Sequence, residues 1–357
     1  MWKDTAVTRR LGLDSPIIQG PFGSGLSAVD LVVAVSESGG LGSFGVHHLD
    51  GAGIRDVTAN IRARTSRAFA LNLWIPMRDS EDPQLSDAQW HAALDVLRPY
   101  FQQLGLPLPV RPARFAPRYV DQVETVLELK PAVFSFVFGV PSTDVLERCR
   151  SAGILTIGAA TTATEAKLLA DSGVDMVVAS GMEAGGHRVA FLREPEENLI
   201  GTMSLVPQLV DAVKIPVIAA GGIADGRGVA AALKLGASAA QIGTAFLACE
   251  ESNAAPLHRE KLFSADNRRT ALTRAFTGRL ARSLHNPFCD AFRGREAALP
   301  PYPVQAWLTA QFRQAALAAG RADLISLWSG QSAPLLEHRR ARDLMTALVS
   351  ETAAAMR

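Results

Sequence analysis

Residues 216–244 have the sequence PVIAAGGIADGRGVAAALKLGASAAQIGT, which predicts one complete strand–helix–strand unit. Strands are predicted at 216–219 and 239–242, and a helix at 226–235 separates them. The first strand segment is apolar throughout and the second is apolar except for Gln241, which is typical of parallel strands that are covered on both faces. Gly236 follows the helix where a left-handed C-cap is expected. The unit is therefore one right-handed crossover of a parallel sheet.

The same unit recurs along the chain, and its repetition predicts the fold. The eight predicted strands are 16–19, 41–44, 69–73, 133–137, 154–157, 176–179, 216–219 and 239–242. The predicted helices are 27–38, 87–104, 119–129, 143–151, 164–172 and 226–235. Eight alternating units of this kind close into an α/β (β/α)8 barrel, the TIM barrel.

Two stretches depart from the repeat. Residues 98–118 contain five prolines and predict an irregular loop after the third strand. The Arg-rich stretch from about 250 to 331 predicts a mainly helical insertion, or lid, between the eighth strand and a closing helix near 335–356. We therefore expect a barrel made of 1–250 and 332–357, with 251–331 covering its mouth.

Composition limits the kind of partner. The 357 residues include 36 Lys and Arg against 35 Asp and Glu, so no overall field attracts nucleic acid or a membrane surface. No segment approaches the roughly 20 apolar residues that span a bilayer. We expect a cytoplasmic protein that binds a small-molecule substrate, with a homodimer left open.

No metal site is predicted. Cys149, Cys249 and Cys289 are far apart and are expected to be reduced, structural thiols. His47 and His48 follow strand two, but no cysteine or carboxylate is spaced to complete a metal site with them. A structural role is favoured for both histidines over a catalytic one.

The loops after strands seven and eight predict a phosphate site, because many barrels bind phosphate there. Gly221 and Gly222 let backbone amides approach an anion, and the following helix directs its positive end to the same place. Strand eight ends in Gln241, Ile242, Gly243 and Thr244. These residues add free amides and a hydroxyl at the same mouth. An ordinary tight turn is the alternative for either loop taken alone.

A third glycine-rich cluster, ASGMEAGGHR at 179–188, follows strand six. Ser180 opens it, and Gly185 and Gly186 allow close contact with a planar ring. His187 lies where a general base or a hydrogen-bond donor could meet a substrate. A histidine in a loop is more often solvated or structural, but the preceding glycine pair at the barrel mouth favours a functional His187.

Two further segments end strands at the mouth. Asn72 ends strand three, and its amide both donates and accepts hydrogen bonds. Strand one ends in the turn of Gly20, Pro21 and Phe22, which either lies along a flat ring or is an ordinary turn.

Together these motifs resemble the nitronate monooxygenases, also called 2-nitropropane dioxygenases, a family of FMN-dependent TIM barrels. The likeness covers nearly the whole chain and includes LWSGQ at 327–331. The resemblance implies that FMN contacts Asn72, Gly185, Gly222 and Gln241 to Thr244, with Gly186 and Gly221 as neighbours, and that His187 is the active-site base. Ser180 departs from the family, which usually has glutamine there, and Gly20-Pro21-Phe22 replaces the more usual Ala-Pro-Met.

The resemblance also implies an activity, the FMN-dependent oxidation of alkyl nitronates or nitroalkanes by O2 to a carbonyl compound and nitrite. Three alternatives stay open at this point. One is an FMN reductase driven by NAD(P)H, of the enoyl or quinone reductase type, although no separate dinucleotide motif follows a strand. The others are a non-catalytic flavin- or phosphate-binding barrel, which would pair His187 away from the pocket, and a flavin-free isomerase or synthase.

Overall fold

The apolar segments form a barrel of eight parallel strands in the computed structural model, which describes residues 2–76, 83 and 85–357. The barrel strands are β1 (Ile17–Gln19), β2 (Gly42–Gly45), β3 (Phe69–Trp74), β4 (Val133–Val137), β5 (Leu155–Ala160), β6 (Met176–Ser180), β8 (Val217–Ala220) and β9 (Ala239–Ile242). A parallel bridge between Ile18 and Leu41 joins β1 to β2 and closes the circle. The predicted TIM barrel and all eight predicted strands are confirmed.

Most of the helices pack on the outside of the barrel, and three belong to the stretch 251–331. The helices are α1 (Ala6–Leu11), α2 (Val29–Glu37), α3 (Gly51–Arg62), α4 (Asp87–Gln103), α5 (Tyr119–Leu129), α6 (Thr143–Ser151), α7 (Ala163–Asp171), α8 (Thr202–Ala212), α9 (Gly226–Lys234), α10 (Thr244–Leu247), α11 (Pro256–Leu262), α12 (Pro287–Phe292), α13 (Val304–Ala318) and α14 (Ala341–Ala355). The six predicted helices are present to within two residues at each end. None of the described helices is long and apolar enough to cross a membrane.

Some helices escaped prediction because their sequences carry helix-breaking residues. α3 begins Gly-Ala-Gly and α8 contains Pro207. Asp50 compensates at the start of α3, where its side chain accepts a hydrogen bond from the Gly53 amide at 2.9 Å. The proline-rich loop prediction is wrong for 98–103, because α4 continues through Pro99 to Gln103. Residues 104–118 are irregular, as expected.

The stretch 251–331 contains α11, α12 and α13, but also a hairpin that the sequence pattern did not predict. Its strands β10 (Thr270–Thr273) and β11 (Ala281–Leu284) are antiparallel. β11 also pairs with β7 (Gly186–His187), the two-residue strand that follows β6. The insertion is thus joined by backbone pairing to the loop that carries His187, whereas its exact limits as a separate unit stay a prediction.

Alternating side chains divide the core into two layers. Ile18, Ala70, Val178 and Ala239 pack together inside the barrel. Their neighbours Ile17, Leu71, Val177 and Ala240 face the outer helices. Both layers are apolar, which explains the uniformly apolar strands. Every second residue of a strand faces the inside of the barrel. Asn72, Ser180 and Gln241 therefore also face inward, at the open, C-terminal end of the barrel.

Gly42 lies where β2 packs closely against α2, so a substitution at Gly42 tests the packing of the barrel wall. A Cβ atom on Gly42 would lie 2.8 Å from the Val32 Cα atom and against the Val32 carbonyl oxygen. We expect Gly42→Ala to lower the midpoint of thermal unfolding by about 5 °C or more, because backbone cannot move aside cheaply. Gly53→Ala in α3 is the control, since its Cβ would meet side-chain atoms rather than backbone, those of Leu49 at 3.3 Å and Asp50 Oδ1 at 3.5 Å. Equal midpoints for the two variants would contradict this packing.

Candidate active site

A cavity of about 1150 Å³, including the part open to solvent, lies at the C-terminal ends of the barrel strands. We call it the first cavity. The predicted site residues that line it are Gly20, Pro21, Phe22, Asn72, Ser180, Gly185, Gly186, His187, Gly221, Gly222, Gln241, Gly243 and Thr244. Ile242 does not line it. The strand alternation that turns Gln241 inward turns the Ile242 side chain outward into the fully buried outer core.

Unpaired backbone amides gather at one end of the first cavity. Gly221 and Gly222 have φ values of 108° and 72°, which an L side chain rarely adopts. Within the part of the chain that the structure describes, the amides of Gly222, Ile223, Gly243 and Thr244 have no hydrogen-bond acceptor. The hydroxyl-bearing Thr244 and Ser332 line the same cavity, and no described lining residue is Lys, Arg, Asp or Glu. This end is suited to an anion held by amides rather than by side-chain charge.

The helix that follows the Gly221–Gly222 loop, α9, contributes less to anion binding than the sequence predicted. The Gly226 amide of α9 donates to Glu351 Oε2 at 2.8 Å, and the Gly228 amide donates to Asp225 Oδ1 at 3.1 Å. Protein carboxylates therefore already occupy the positive end of α9. The prediction that this end points at the anion is not supported. The loop amides are the groups left to bind the anion.

The glycine-rich loop after β6 is held rigidly from both sides. Glu183 accepts hydrogen bonds from the Thr202 amide and hydroxyl, each at 2.9 Å. The buried Arg188 donates to the carbonyl oxygens of Gly181 and Ser180, at 2.6 and 3.0 Å. A Cβ atom on Gly185 would lie 2.5 Å from the Gly330 nitrogen, so close packing against 329–330 already requires glycine at Gly185.

His187 lies between aromatic side chains at the edge of the first cavity. Its ring centroid is 4.8 Å from that of Trp74, in an edge-to-face arrangement, and 5.2 Å from that of Trp328. Its Nε2 atom lies 2.9 Å from the Thr277 hydroxyl oxygen. Backbone pairing of His187 with Ala281 fixes the residue from the side of the insertion.

Hydrogen bonding around His187 favours one tautomer. The Thr277 hydroxyl lies 3.2 Å from the Arg279 carbonyl oxygen, and when it donates to that oxygen it accepts from the imidazole. In this arrangement Nε2 carries the proton, and Nδ1 keeps its lone pair. Burial, followed by the nearby charge of Arg279, lowers the pKa of His187 to about 3. The imidazole is neutral at physiological pH and can accept a proton at Nδ1.

Several residues around the site were missed by sequence reasoning. Trp74 stacks on His47 with ring centroids 3.9 Å apart, and Thr277 and Trp328 come from the insertion. The Asn72 side chain is fixed by donating from Nδ2 to Ser135 Oγ at 3.0 Å. Trp74, two residues after the predicted Asn72, had a local signal, and so did Trp328, which belongs to the LWSGQ segment of the resemblance but was not assigned to the site. The others reach the site through contacts between distant parts of the chain.

A second cavity, of about 1360 Å³, adjoins the first. Both cavities are lined by Ser24, Trp74, His187 and Trp328, so His187 stands at their junction. His47 and His48 line the second cavity and not the first. Burial and the charges of His48, His187 and Arg279 hold the pKa of His47 well below its usual range. The described residues include no cluster of side chains suited to a metal ion.

Known proteins share this chain's sequence and fold. The family model described as nitronate monooxygenase matches residues 5–351. A probable nitronate monooxygenase of Staphylococcus aureus (strain Newman) is 38% identical over 352 residues, which cover 98% of each chain. The nitroalkane oxidase of Streptomyces ansochromogenes is 37% identical with a TM-score of 0.88, covering 98% of this chain and 99% of its own.

A second solved structure, FabK from Thermotoga maritima, is 29% identical with a TM-score of 0.74, covering 98% of this chain and 96% of its own. The sequence match is thus stronger toward the nitronate and nitroalkane enzymes, and it spans the barrel and the insertion alike. The chain belongs to the nitronate monooxygenase family of oxidoreductases.

Proposed function

We propose that this protein binds FMN in the first cavity and uses O2 to oxidise alkyl nitronates, and nitroalkanes, to a carbonyl compound and nitrite. One observation carries the proposal. A histidine that burial keeps neutral lines the same cavity as the unpaired amides suited to a phosphate. Membership of the nitronate monooxygenase family supports the same reaction.

The donors that line the cavity suit the chemistry of FMN. The amides of Gly222, Ile223, Gly243 and Thr244 would hold the phosphate. Asn72 and Gln241 end inward-facing rows of β3 and β9 and would meet the polar edge of the ring. Bound FMN would supply the electron-accepting group, which no side chain of the protein can replace.

His187 would accept the proton that a nitroalkane loses. A neutral nitroalkane must lose a proton from the carbon next to the nitro group, and Nδ1 is the free acceptor at the cavity edge. The resulting Nδ1–H would then donate a hydrogen bond to the nitronate oxygen. A substrate that arrives as a nitronate carries its own negative charge, which favours the protonated imidazole. The rings of Trp74 and Trp328 pack beside the imidazole and would hold it in place for this step.

Oxygen consumption tests the proposed reaction. The purified protein should show flavin absorbance, consume O2 with ethyl or propyl nitronate, and release nitrite, while NADH and NADPH should not bleach the flavin rapidly under anaerobic conditions. Rapid bleaching without nitronate turnover would favour the reductase alternative. Absence of flavin from protein that cannot be reloaded with FMN would overturn the proposal.

Replacing the histidine separates its role from cofactor binding. We expect His187→Asn to retain FMN and to lower kcat/KM for nitroethane by roughly 10²- to 10⁴-fold, because the proton acceptor is lost. Ethyl nitronate, which needs no deprotonation, should lose much less. His91→Asn on the exposed face of α4 is the control. Unchanged nitroethane turnover in His187→Asn would remove His187 from this role.

The tautomer assignment gives a separate prediction. Thr277→Val removes the acceptor for Nε2–H and lets the imidazole adopt the other tautomer, in which Nδ1 carries the proton. We expect kcat/KM for nitroethane to fall on the order of 10-fold, with FMN binding and thermal stability little changed. Thr277→Ser keeps the hydroxyl and should retain most of the activity. Equal activities of the valine and serine variants would refute the assigned tautomer.

A further inference from the structure

Three histidines line the second cavity, and two of them have no hydrogen-bond partner for the imidazole within the described part of the chain. His187 is bonded to Thr277, whereas His47 and His48, which follow β2, are not bonded in this way. Their Nδ1 atoms are buried and unpaired. An unpaired buried nitrogen costs free energy, so a purely structural role does not explain why both residues are histidines.

The backbone that carries these two histidines is nevertheless held firmly. The buried Gln122 of α5 donates from Nε2 to the carbonyl oxygens of His47 and Leu49, at 2.9 and 2.6 Å. The ring of His48 lies edge-on to that of His47, with ring centroids 5.5 Å apart. The imidazoles are therefore positioned by their neighbours, while their nitrogen atoms stay available.

The imidazoles form a row that starts at the candidate base. Trp74 lies between His187 and His47, with ring centroids 4.8 Å from the first and 3.9 Å from the second. His48 comes next, on the side of His47. These spacings are too long for direct hydrogen bonds between the imidazoles, but the second cavity has room for water molecules that bridge them.

The outer end of the row lies near solvent. A Cβ atom on Gly25 would lie 3.8 Å from His48 Nε2, so His48 is next to the turn that follows β1. Ser24 in the same turn is exposed and lines both cavities. The row of imidazoles thus leads from His187 toward the surface.

No carboxylate competes for a proton along this row. The described residues that line the two cavities include no Asp or Glu, and Arg313 is the one with a permanent charge. Burial lowers the pKa of His48, and burial together with the charges of His48, His187 and Arg279 lowers the pKa of His47. Both imidazoles are neutral at physiological pH, so each can take up a proton and neither retains it strongly.

The proposed reaction needs such a route for one class of substrate only. Two ethyl nitronate anions and one O2 contain the same atoms and charge as two acetaldehyde molecules and two nitrite ions, so nitronate turnover releases no proton. Each nitroethane brings one proton more. His187 takes this proton from carbon and must pass it on before it can act as a base again.

We propose that His47 and His48 form a proton relay, which carries the proton from His187 through the second cavity to solvent and so restores the base for the next nitroalkane. The proton moves without electrons, His187 returns to its neutral form, and the proton ends on water or buffer. The proposal rests on the proposed function for its reaction, and it assigns a role to two histidines that the reaction at His187 does not use.

Two substrates that differ by one proton test the relay. In dilute buffer we expect the double variant His47→Gln with His48→Gln to lower kcat for nitroethane by roughly 10-fold or more, and kcat/KM by less than about 3-fold, because proton abstraction precedes the relay. The kcat for ethyl nitronate should change by less than about 2-fold. Added imidazole should restore most of the nitroethane rate, since a diffusible base replaces the missing side chains.

His91→Gln is the matched control, since it removes an exposed histidine of α4. It should leave the turnover of both substrates unchanged. Equal losses for nitroethane and ethyl nitronate, which a general structural effect produces, would rule out the relay. A nitroethane loss that imidazole does not restore, or no loss at all, would rule it out as well.

Hydrogen exchange keeps the relay separate from the oxidation. Under anaerobic conditions in D2O, NMR follows deuterium entering the carbon next to the nitro group of nitroethane, which needs His187 and solvent but no O2. We expect this exchange to be roughly 10-fold slower in the double variant than in the wild-type protein. If neither substrate is oxidised while exchange still depends on His47 and His48, the proposed function fails and the relay stands. Equal exchange in the two proteins, or exchange no faster than without protein, would refute the relay.

Discussion

The backbone pairing of β7 with β11 is the constraint on which the candidate active site depends. It aligns His187 with Ala281 and Gly186 with Arg282, and so ties the loop after β6 to a hairpin nearly a hundred residues later. This pairing places Thr277, which lies in the hairpin turn, against the imidazole. The segment 327–331 adds to it, because the Gly330 amide donates to Thr244 Oγ1 at 2.8 Å and the Gln331 amide to the Glu183 carbonyl oxygen at 2.9 Å. The insertion thus forms one wall of the site and also connects its anion-binding end to its histidine end.

Electrostatics in the first cavity come from oriented dipoles more than from charged side chains. No described lining residue is permanently charged, and His187 is held neutral by burial. Charged groups lie one layer away and position backbone. Glu165, fully buried, accepts hydrogen bonds from the Phe191 amide at 2.6 Å and from the Thr161 amide at 2.7 Å, while Arg188 binds carbonyl oxygens on the other side of the loop. A site of this kind can bind an anion and receive a proton without a competing fixed charge, because its dipoles are already in place.

Strand alternation explains which predicted site residues could be identified in advance. Asn72, Ser180 and Gln241 lie on inward-facing rows, so a correct strand register is enough to place them at the cavity, and the same register turns Ile242 away from it. Glycine patterns were less specific as predictors of ligand contact. Gly221 and Gly222 adopt the backbone conformations that a glycine pair favours, whereas Gly185 is required by packing against Gly330 whether or not a ring lies beside it. The positive end of α9 was predicted to face the anion, yet Asp225 and Glu351 occupy it, and Glu351 lies 125 residues away.

The sequence by itself determined the barrel, the positions of its strands, six of its helices and the loops that meet at its mouth. These features follow from local periodicity and from glycines at strand and helix ends, which act over a few residues. Only the tertiary structure decided the burial that keeps His187 neutral and the sharing of His187 between two cavities. Each of these depends on residues far apart in the chain, such as His187 and Thr277, which are 90 positions apart. Burial and hydrogen-bond partners arise from packing, and no local sequence pattern encodes them.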